Sequence, residues 1–292
     1  MEGGFITNYE EVRRVKPPAF RSYIRDLALK ALALSANKKY LQQPRIQFLY
    51  IHHIFKDEEE RLETLLEILA RDHEFISYDE AVEKILTGAV DRPYITFSSD
   101  DGFKNNLRTA QILNAYNAKA CFFINPGIIG ETDYNKINQY CTHTLDFPPV
   151  AFLNWKEVAQ LQKLGHEVGS HTMRHMNIAA ATEQEVREDM EQTFSILTER
   201  CGEVKHFAYP YGRFFHFTPF GRRAVFEAGF KSCASAERGC HVNPASPIAN
   251  TELCIRRDYT VVGNNIDHIL YFLINNAKHA DPANNLFPAS LR

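Results

Sequence analysis

Charge of one sign and long apolar runs are both scarce in this 292-residue chain. With 33 basic and 36 acidic side chains, the formal charge of -3 gives no general field to gather nucleic acid or an anionic bilayer. No stretch approaches the length of a membrane span, so no integral membrane segment is expected. The N-terminal Met1-Glu2-Gly3-Gly4-Phe5 lacks the basic start and apolar run of a secretory signal, and a cytoplasmic location is the expectation. Cys121, Cys141, Cys201, Cys233, Cys240 and Cys254 contain no Cys-x-x-Cys spacing, and several sit in apolar strand text. They read as reduced, buried thiols. Internal repeats and low-complexity tracts are absent as well.

What is there suits an α/β protein. A hydrophobic fraction of 45% is enough for a sizeable core, and the length fits one large barrel-like domain with additions. From residue 45, strand text alternates with helix text: Gln47 to His52, Tyr94 to Phe97, Ala120 to Asn125, Glu167 to Ser170, Phe207 to Tyr209, Lys231 to Ala234 and Cys254 to Asp258. Such alternation predicts a parallel sheet, here a distorted (β/α) barrel. Ser77 to Glu80, Asn154 to Glu157 and Thr182 to Glu185 resemble helix-starting capping boxes, and Gly165 suits the end of the middle helix. Residues 1–44 form an N-terminal helical extension ahead of a domain spanning 45–292. In the extension, Leu27, Ala31 and Leu34 recur at helical spacing over Tyr23 to Leu34, beside Arg21, Arg25 and Lys30. A helix covering one end of the barrel is the expected role, ahead of a membrane-surface one. Gly127 to Phe152 reads as a long irregular insertion whose Tyr134, Tyr140, His143 and Phe147 could shape a rim. Trp155, in the first turn of a helix, is expected to pack inward.

Two segments about seventy residues apart carry the chemistry: Ser98-Ser99-Asp100-Asp101-Gly102 and Gly169-Ser170-His171-Thr172-Met173-Arg174-His175. Each follows strand text, so both belong at the C-terminal ends of strands, which share one rim in a β/α protein. His175 returns to the side of His171 if the chain turns helically between them. One carboxylate and two imidazoles suffice to hold a metal, with a second carboxylate beside them. His166-Glu167 could suggest a zinc protease, but that motif needs histidine at 170, where this chain has Ser170. His73, His206, His216, His241 and His279 have no partner at a ligand spacing and read as structural.

The two segments resemble the first two motifs of the NodB-homology polysaccharide deacetylases, carbohydrate esterase family four, over roughly residues 45 to 260. The resemblance implies that Asp100 is the general base and that Asp101, His171 and His175 hold a divalent metal, with zinc the leading candidate. Phe207-Ala208-Tyr209-Pro210-Tyr211-Gly212 is similar to the family's Arg-x-Pro-Tyr motif, which implies a backbone N–H from Tyr211 for the oxyanion. Ala208 stands where the family has an arginine that supports the base, leaving Arg213, Arg256 or Arg257 as replacements. For the general acid, Ile266-Asp267-His268 is the nearest text to the family's Leu-x-His, yet Asn264 to Ala277 reads as a helix. His53, ending the first strand, is the rival.

A bound cation lowers the pKa of a water and polarises an amide carbonyl, which matches the inventory to hydrolysis. The expectation is a metal-dependent carbohydrate deacetylase acting on an N-acetylated sugar or oligosaccharide in surface-polysaccharide biosynthesis. Two alternatives stay open. A catalytically inactive carbohydrate-binding protein of the same fold would account for Ala208, and a non-haem iron oxygenase also uses two histidines and a carboxylate.

Overall fold

The run Arg45–Ile51 forms β1, buried along its whole length, and its β-branched and aromatic side chains suit a strand covered on both faces. The computed structural model describes residues 4–16, 20–35, 37–263 and 265–292. Ahead of β1 stand α1 (Tyr9–Val15) and α2 (Phe20–Ser35); after it come α3 (Glu59–Leu69), β2 (Glu74–Phe75), α4 (Tyr78–Thr87), β3 (Pro93–Ser99) and α5 (Asn106–Ala115). The chain continues through β4 (Ala120–Ile124), α6 (Tyr134–His143), α7 (Trp155–Lys163), β5 (Glu167–Ser170), α8 (Glu183–Cys201), β6 (His206–Ala208) and α9 (Pro219–Ala228). It ends with β7 (Ser232–Ala234), β8 (Cys254–Ile255), β9 (Arg257–Tyr259) and α10 (Ile266–Lys278).

All strand pairs are parallel and follow the order β8-β7-β6-β5-β4-β3-β1-β9, with the short β2 beside β3. The two ends of this path are consecutive in the chain and separated only by Arg256, so the sheet curls into a nearly closed barrel with helices outside. The expected (β/α) barrel is therefore the fold. The main core lies between sheet and helices, where Leu49, Ile95, Phe122 and Phe207 meet Leu66, Leu113, Leu161 and Met190. A second set, with Ile46, Phe48, Tyr94, Phe123 and Ala208, fills other space around the same strands.

The helix starts follow the sequence closely. Ser77 accepts from Glu80 N, while Asn154 and Thr182 form complete capping boxes with Glu157 and Glu185. All six cysteines are free, five of them buried and Cys201 partly so. Trp155 is partly buried against the main core, with the Arg200 guanidinium 5.6 Å from its ring centre.

Three expectations need correction. The insertion after β4 is not wholly irregular, because Asp133 caps α6 and Ile137, Tyr140 and Cys141 bury one helical face. The expected strand over Cys254 to Asp258 is interrupted at Arg256, whose backbone N–H turns to His241 Nε2 at 2.9 Å. In α2, which packs beside α10, Leu27 is exposed and Leu29 is buried, so the inward face differs from the expected one; the side chains of Arg21, Tyr23 and Leu34 lie outside the described residues. Asn264, where the last helix was expected to begin, also lies outside them; α10 starts at Ile266 with Asn265 as its cap. No helix among the described residues is long and apolar enough to cross a membrane.

Candidate active site

The C-terminal end of β3 delivers the two carboxylates. Asp100 N donates to Ile51 O of β1 at 3.1 Å, which fixes the register where the strand ends. Asp101 then takes a left-handed backbone (φ 73°), unusual outside glycine, and Gly102 continues it (φ 80°). A Cβ at Gly102 would stand 3.0 Å from Ile129 and 3.2 Å from Ile124, so both the turn and the packing require glycine. The turn aims two consecutive acidic side chains into one buried cavity, which strand alternation alone would have separated.

The histidine loop is held from several sides. His171 N donates to Ile124 O at 2.9 Å, Asn125 Nδ2 donates to the carbonyls of His171 and Thr172, and Met176 N donates to Thr172 Oγ1 at 2.8 Å. Asp189 of α8 accepts from Met173 N with both carboxylate oxygens, at 3.0 and 3.1 Å. Thr172 (φ 64°) and His175 (φ 58°) are left-handed, a backbone cost that such anchoring sustains. The outcome is a cluster of Asp101, His171 and His175, with one ligand atom from each all within 4.8 Å.

Within that cluster, Asp101 Oδ1 lies 3.7 Å from both His171 Nε2 and His175 Nε2. His171 Nδ1 is 2.7 Å from Ala208 O and must be the protonated nitrogen there, so Nε2 presents a lone pair. Burial holds both imidazoles below their ordinary pKa, and for His175 the neighbouring His171 and His52 add to the effect. Burial and the charge of Asp100 push Asp101 well above the usual carboxylate range. Asp101 Oδ1 is buried with no hydrogen-bond partner. A carboxyl group and two imidazole nitrogens converging in a buried cavity fit a divalent cation, which would displace the carboxyl proton that burial favours and satisfy all three at once.

Arg257 of β9 answers the question raised by Ala208. Its Nη1 donates to Asp100 Oδ1 at 2.7 Å and its Nη2 to Asp100 Oδ2 at 2.9 Å, a two-pronged pair. Nε donates to Ser235 O at 2.9 Å, and the guanidinium lies 4.5 Å from the ring centre of Tyr50 and 5.2 Å from that of Phe123. Burial alone would raise Asp100, but the guanidinium prevails and lowers its pKa to about 2. Of the other two candidates, Arg213 pairs with Glu237 at the surface and Arg256 donates to Asn284 O. Neither takes the place of the missing arginine.

A cavity of about 300 Å³ opens over these groups, lined by Asp100, Asp101, His171, His175 and Arg257 and walled by Tyr50, Tyr211, Tyr259, Phe103, Leu145 and Phe147. Tyr211 is left-handed (φ 63°), and its ring stands 4.7 Å from that of His175. Of the rim candidates in the insertion, Phe147 lines the cavity and Tyr140 is buried beneath it, while Tyr134 packs on Phe5.

The two histidines expected to supply the general acid are placed differently. His268 is buried on α10 and does not line the cavity. His53 lines it but turns toward Glu58 and Phe147. The histidine facing the cluster is His52, missed by sequence reasoning, whose Nε2 is 4.0 Å from Asp101 Oδ2. Burial lowers His52 to about 4, and the nearby Asp100 charge opposes that shift. A strand-end His-His pair offered the signal, but not which of the two turns inward.

A search of curated protein sequences finds no match to the chain. Among solved structures, IcaB from Ammonifex degensii superposes with a TM-score of 0.62 at 17% identity, covering 81% of this chain and 98% of that one. The Streptococcus pyogenes deacetylase PplD in complex with acetate gives 0.61 at 16%, covering 78% and 98%. A de-N-acetylase from Aggregatibacter actinomycetemcomitans gives 0.61 at 15%, covering 78% and 99%. At these identities the likeness is one of fold. The family model described as polysaccharide deacetylase matches residues 87–229, which hold Asp100, Asp101, His171, His175 and Tyr211. Residues 87–229 thus match a polysaccharide deacetylase domain, set in a nearly closed parallel barrel whose fold is similar to that of the solved deacetylases.

Proposed function

We propose that this protein is a metal-dependent hydrolase that removes an N-acetyl group from a sugar used in surface-polysaccharide assembly. The observation that carries the reading is the juxtaposition of the Asp101–His171–His175 cluster with an arginine-held second carboxylate on one cavity. Asp101, His171 and His175 would hold the ion, which when bound lowers the pKa of a water and polarises the acyl carbonyl. Asp100, kept ionised and oriented by Arg257, accepts a proton from the attacking water. The Tyr211 N–H is assigned to the oxyanion, as the family resemblance implies. The proton that Asp100 takes passes on to the departing amine as the C–N bond breaks, with His52, the histidine facing the cluster, as the shuttle. Burial favours the neutral ring in the resting protein, and the negative charge that grows beside it favours taking up that proton. The hydroxyl of one water ends on the acyl carbon and its proton on the amine, so the reaction balances as carboxylic acid plus amine.

The test is acetate release from N-acetylated hexosamine oligomers by zinc-loaded protein, run anaerobically beside the Asp100→Asn variant. Turnover that depends on Asp100 supports the reading, and turnover without oxygen excludes the oxygenase. Sugar binding with no acyl release by the wild type would point instead to the inactive carbohydrate-binding protein. Arg257 weakens the case for that alternative, because the support that Ala208 cannot give Asp100 is present on another strand.

A further inference from the structure

Two histidines leave the end of β1 side by side, and only one is used above. His52 faces the Asp101–His171–His175 cluster, whereas His53 lines the same cavity beside Phe103 and Phe147. Its ring is gripped by aromatic neighbours, stacked on Phe147 with centroids 5.0 Å apart and lying 4.6 Å from Phe55. Behind it sits Glu58, 2% exposed, whose Oε2 accepts from Phe55 N at 3.0 Å and lies 3.9 Å from His53 Nδ1. Nδ1 is buried and has no hydrogen-bond partner, and the carboxylate beside it is that of Glu58. A carboxylate on the Nδ1 side favours the proton on that nitrogen, which leaves Nε2 as an acceptor.

We propose that His53 is a substrate-binding residue whose Nε2 accepts a hydrogen bond from a hydroxyl of the carbohydrate, with Glu58 as its positioning residue. The inference rests on the deacetylase reading and adds a contact to the sugar itself. The aromatic grip limits ring rotation, so little freedom is lost on binding. An acceptor beside Phe103 and Phe147 also selects its ligand, because the polar atom is left unpaired when a hydroxyl is missing.

The test uses the full-length metal-loaded protein and N-acetylhexosamine oligomers. His53→Phe keeps the stacking on Phe147 but removes the acceptor, and KM is expected to rise roughly 3- to 10-fold with kcat unchanged. His53→Gln, which returns a polar atom near the Nε2 position, should recover most of that loss. Glu58→Gln still caps Phe55 N but carries no charge, and a smaller rise in KM is expected. In a series of monodeoxy substrates, one analogue should lose the same factor with the wild type and lose nothing further with His53→Phe. An unchanged KM in both His53 variants, or full additivity for every deoxy analogue, overturns the inference while leaving the deacetylase reading intact. A fall in kcat with KM unchanged also overturns it and makes His53 a proton donor. No acetate release by the wild type sinks the deacetylase reading instead.

Discussion

Two groups of histidine and carboxylate sit at different places around this barrel, and they are built on opposite terms. At the C-terminal ends of β3 and β5, Asp101, His171 and His175 converge, and Asp101 Oδ1 is left unpaired. Near the starts of β5 and β6, Glu167 accepts from Tyr78 N at 2.9 Å and Asp79 N at 3.1 Å, closing the first turn of α4. There Lys205 Nζ lies 2.6 Å from Asp79 Oδ2, His206 Nε2 is 3.1 Å from Glu167 Oε2, and His206 Nδ1 is 2.9 Å from Ser232 Oγ. Backbone conformation separates the regions in the same way. Of six non-glycine residues with positive φ among those described, Asp101, Thr172, His175 and Tyr211 belong to the first region and none to the second. Similar residue types are therefore arranged to suit ligand capture where the backbone is strained around one cavity, and serve architecture where the carboxylates cap a helix and pair with a cation.

The largest effect expected from breaking this contrast is chemical. Asp100→Asn should lower kcat by about 100- to 10,000-fold, the range for loss of a general base, measured as acetate release. Asp101→Asn should abolish metal binding by calorimetry, yet leave the melting temperature of metal-free protein unchanged or higher, because a buried carboxylate has been removed. A marked fall in that temperature would place Asp101 with the architectural group. Arg257→Met combines both kinds of loss. It strands the Asp100 charge in the interior, so urea unfolding should report roughly 3–5 kcal/mol of destabilisation together with loss of turnover.

Acid sharpens the comparison from the architectural side. Burial lowers His73, His166 and His241 to about 4 in the folded protein, against about 6.5 unfolded. The unfolded chain therefore binds more protons below about pH 6.5, and stability falls as pH falls through that value toward 4. Each group is expected to account for on the order of 2 kcal/mol between pH 7 and 5, read by chemical denaturation at the two pH values. A flat profile would mean that these rings are protonated in the fold. The smallest change is expected for Lys205→Met, whose ion pair with Asp79 is partly exposed: about 1 kcal/mol or less in stability and kcat within about twofold.

Much of the fold was legible because its strands are short apolar runs bounded by capping residues, and the barrel followed from their alternation. The cluster was legible because consecutive Asp100-Asp101 and the four-residue histidine spacing both fall at strand ends. The supporting arginine was not. Arg256 and Arg257 are adjacent, and which one points inward depends on the break between β8 and β9, where Arg256 N bonds to His241. His52 and His53 posed the same difficulty, since the chain leaves the pleat after Ile51 and the period-two rule stops applying. Helix α6 was missed although its signal was present, with Asp133 as cap and Ile137, Tyr140 and Cys141 at helical spacing. Aromatic side chains in that stretch suggested a loop rim more readily than a helix.

Arg257 and Asp100 are separated by 157 positions along the chain, and they meet only because β9 docks beside β1. A nascent polypeptide halted after β6 would already own Asp101, His171 and His175, yet Asp100, the proposed base, would stand without its guanidinium. On the proposed function, competence to hydrolyse waits until β9 has been made and docked, and an incomplete chain that captured metal would remain an unarmed one.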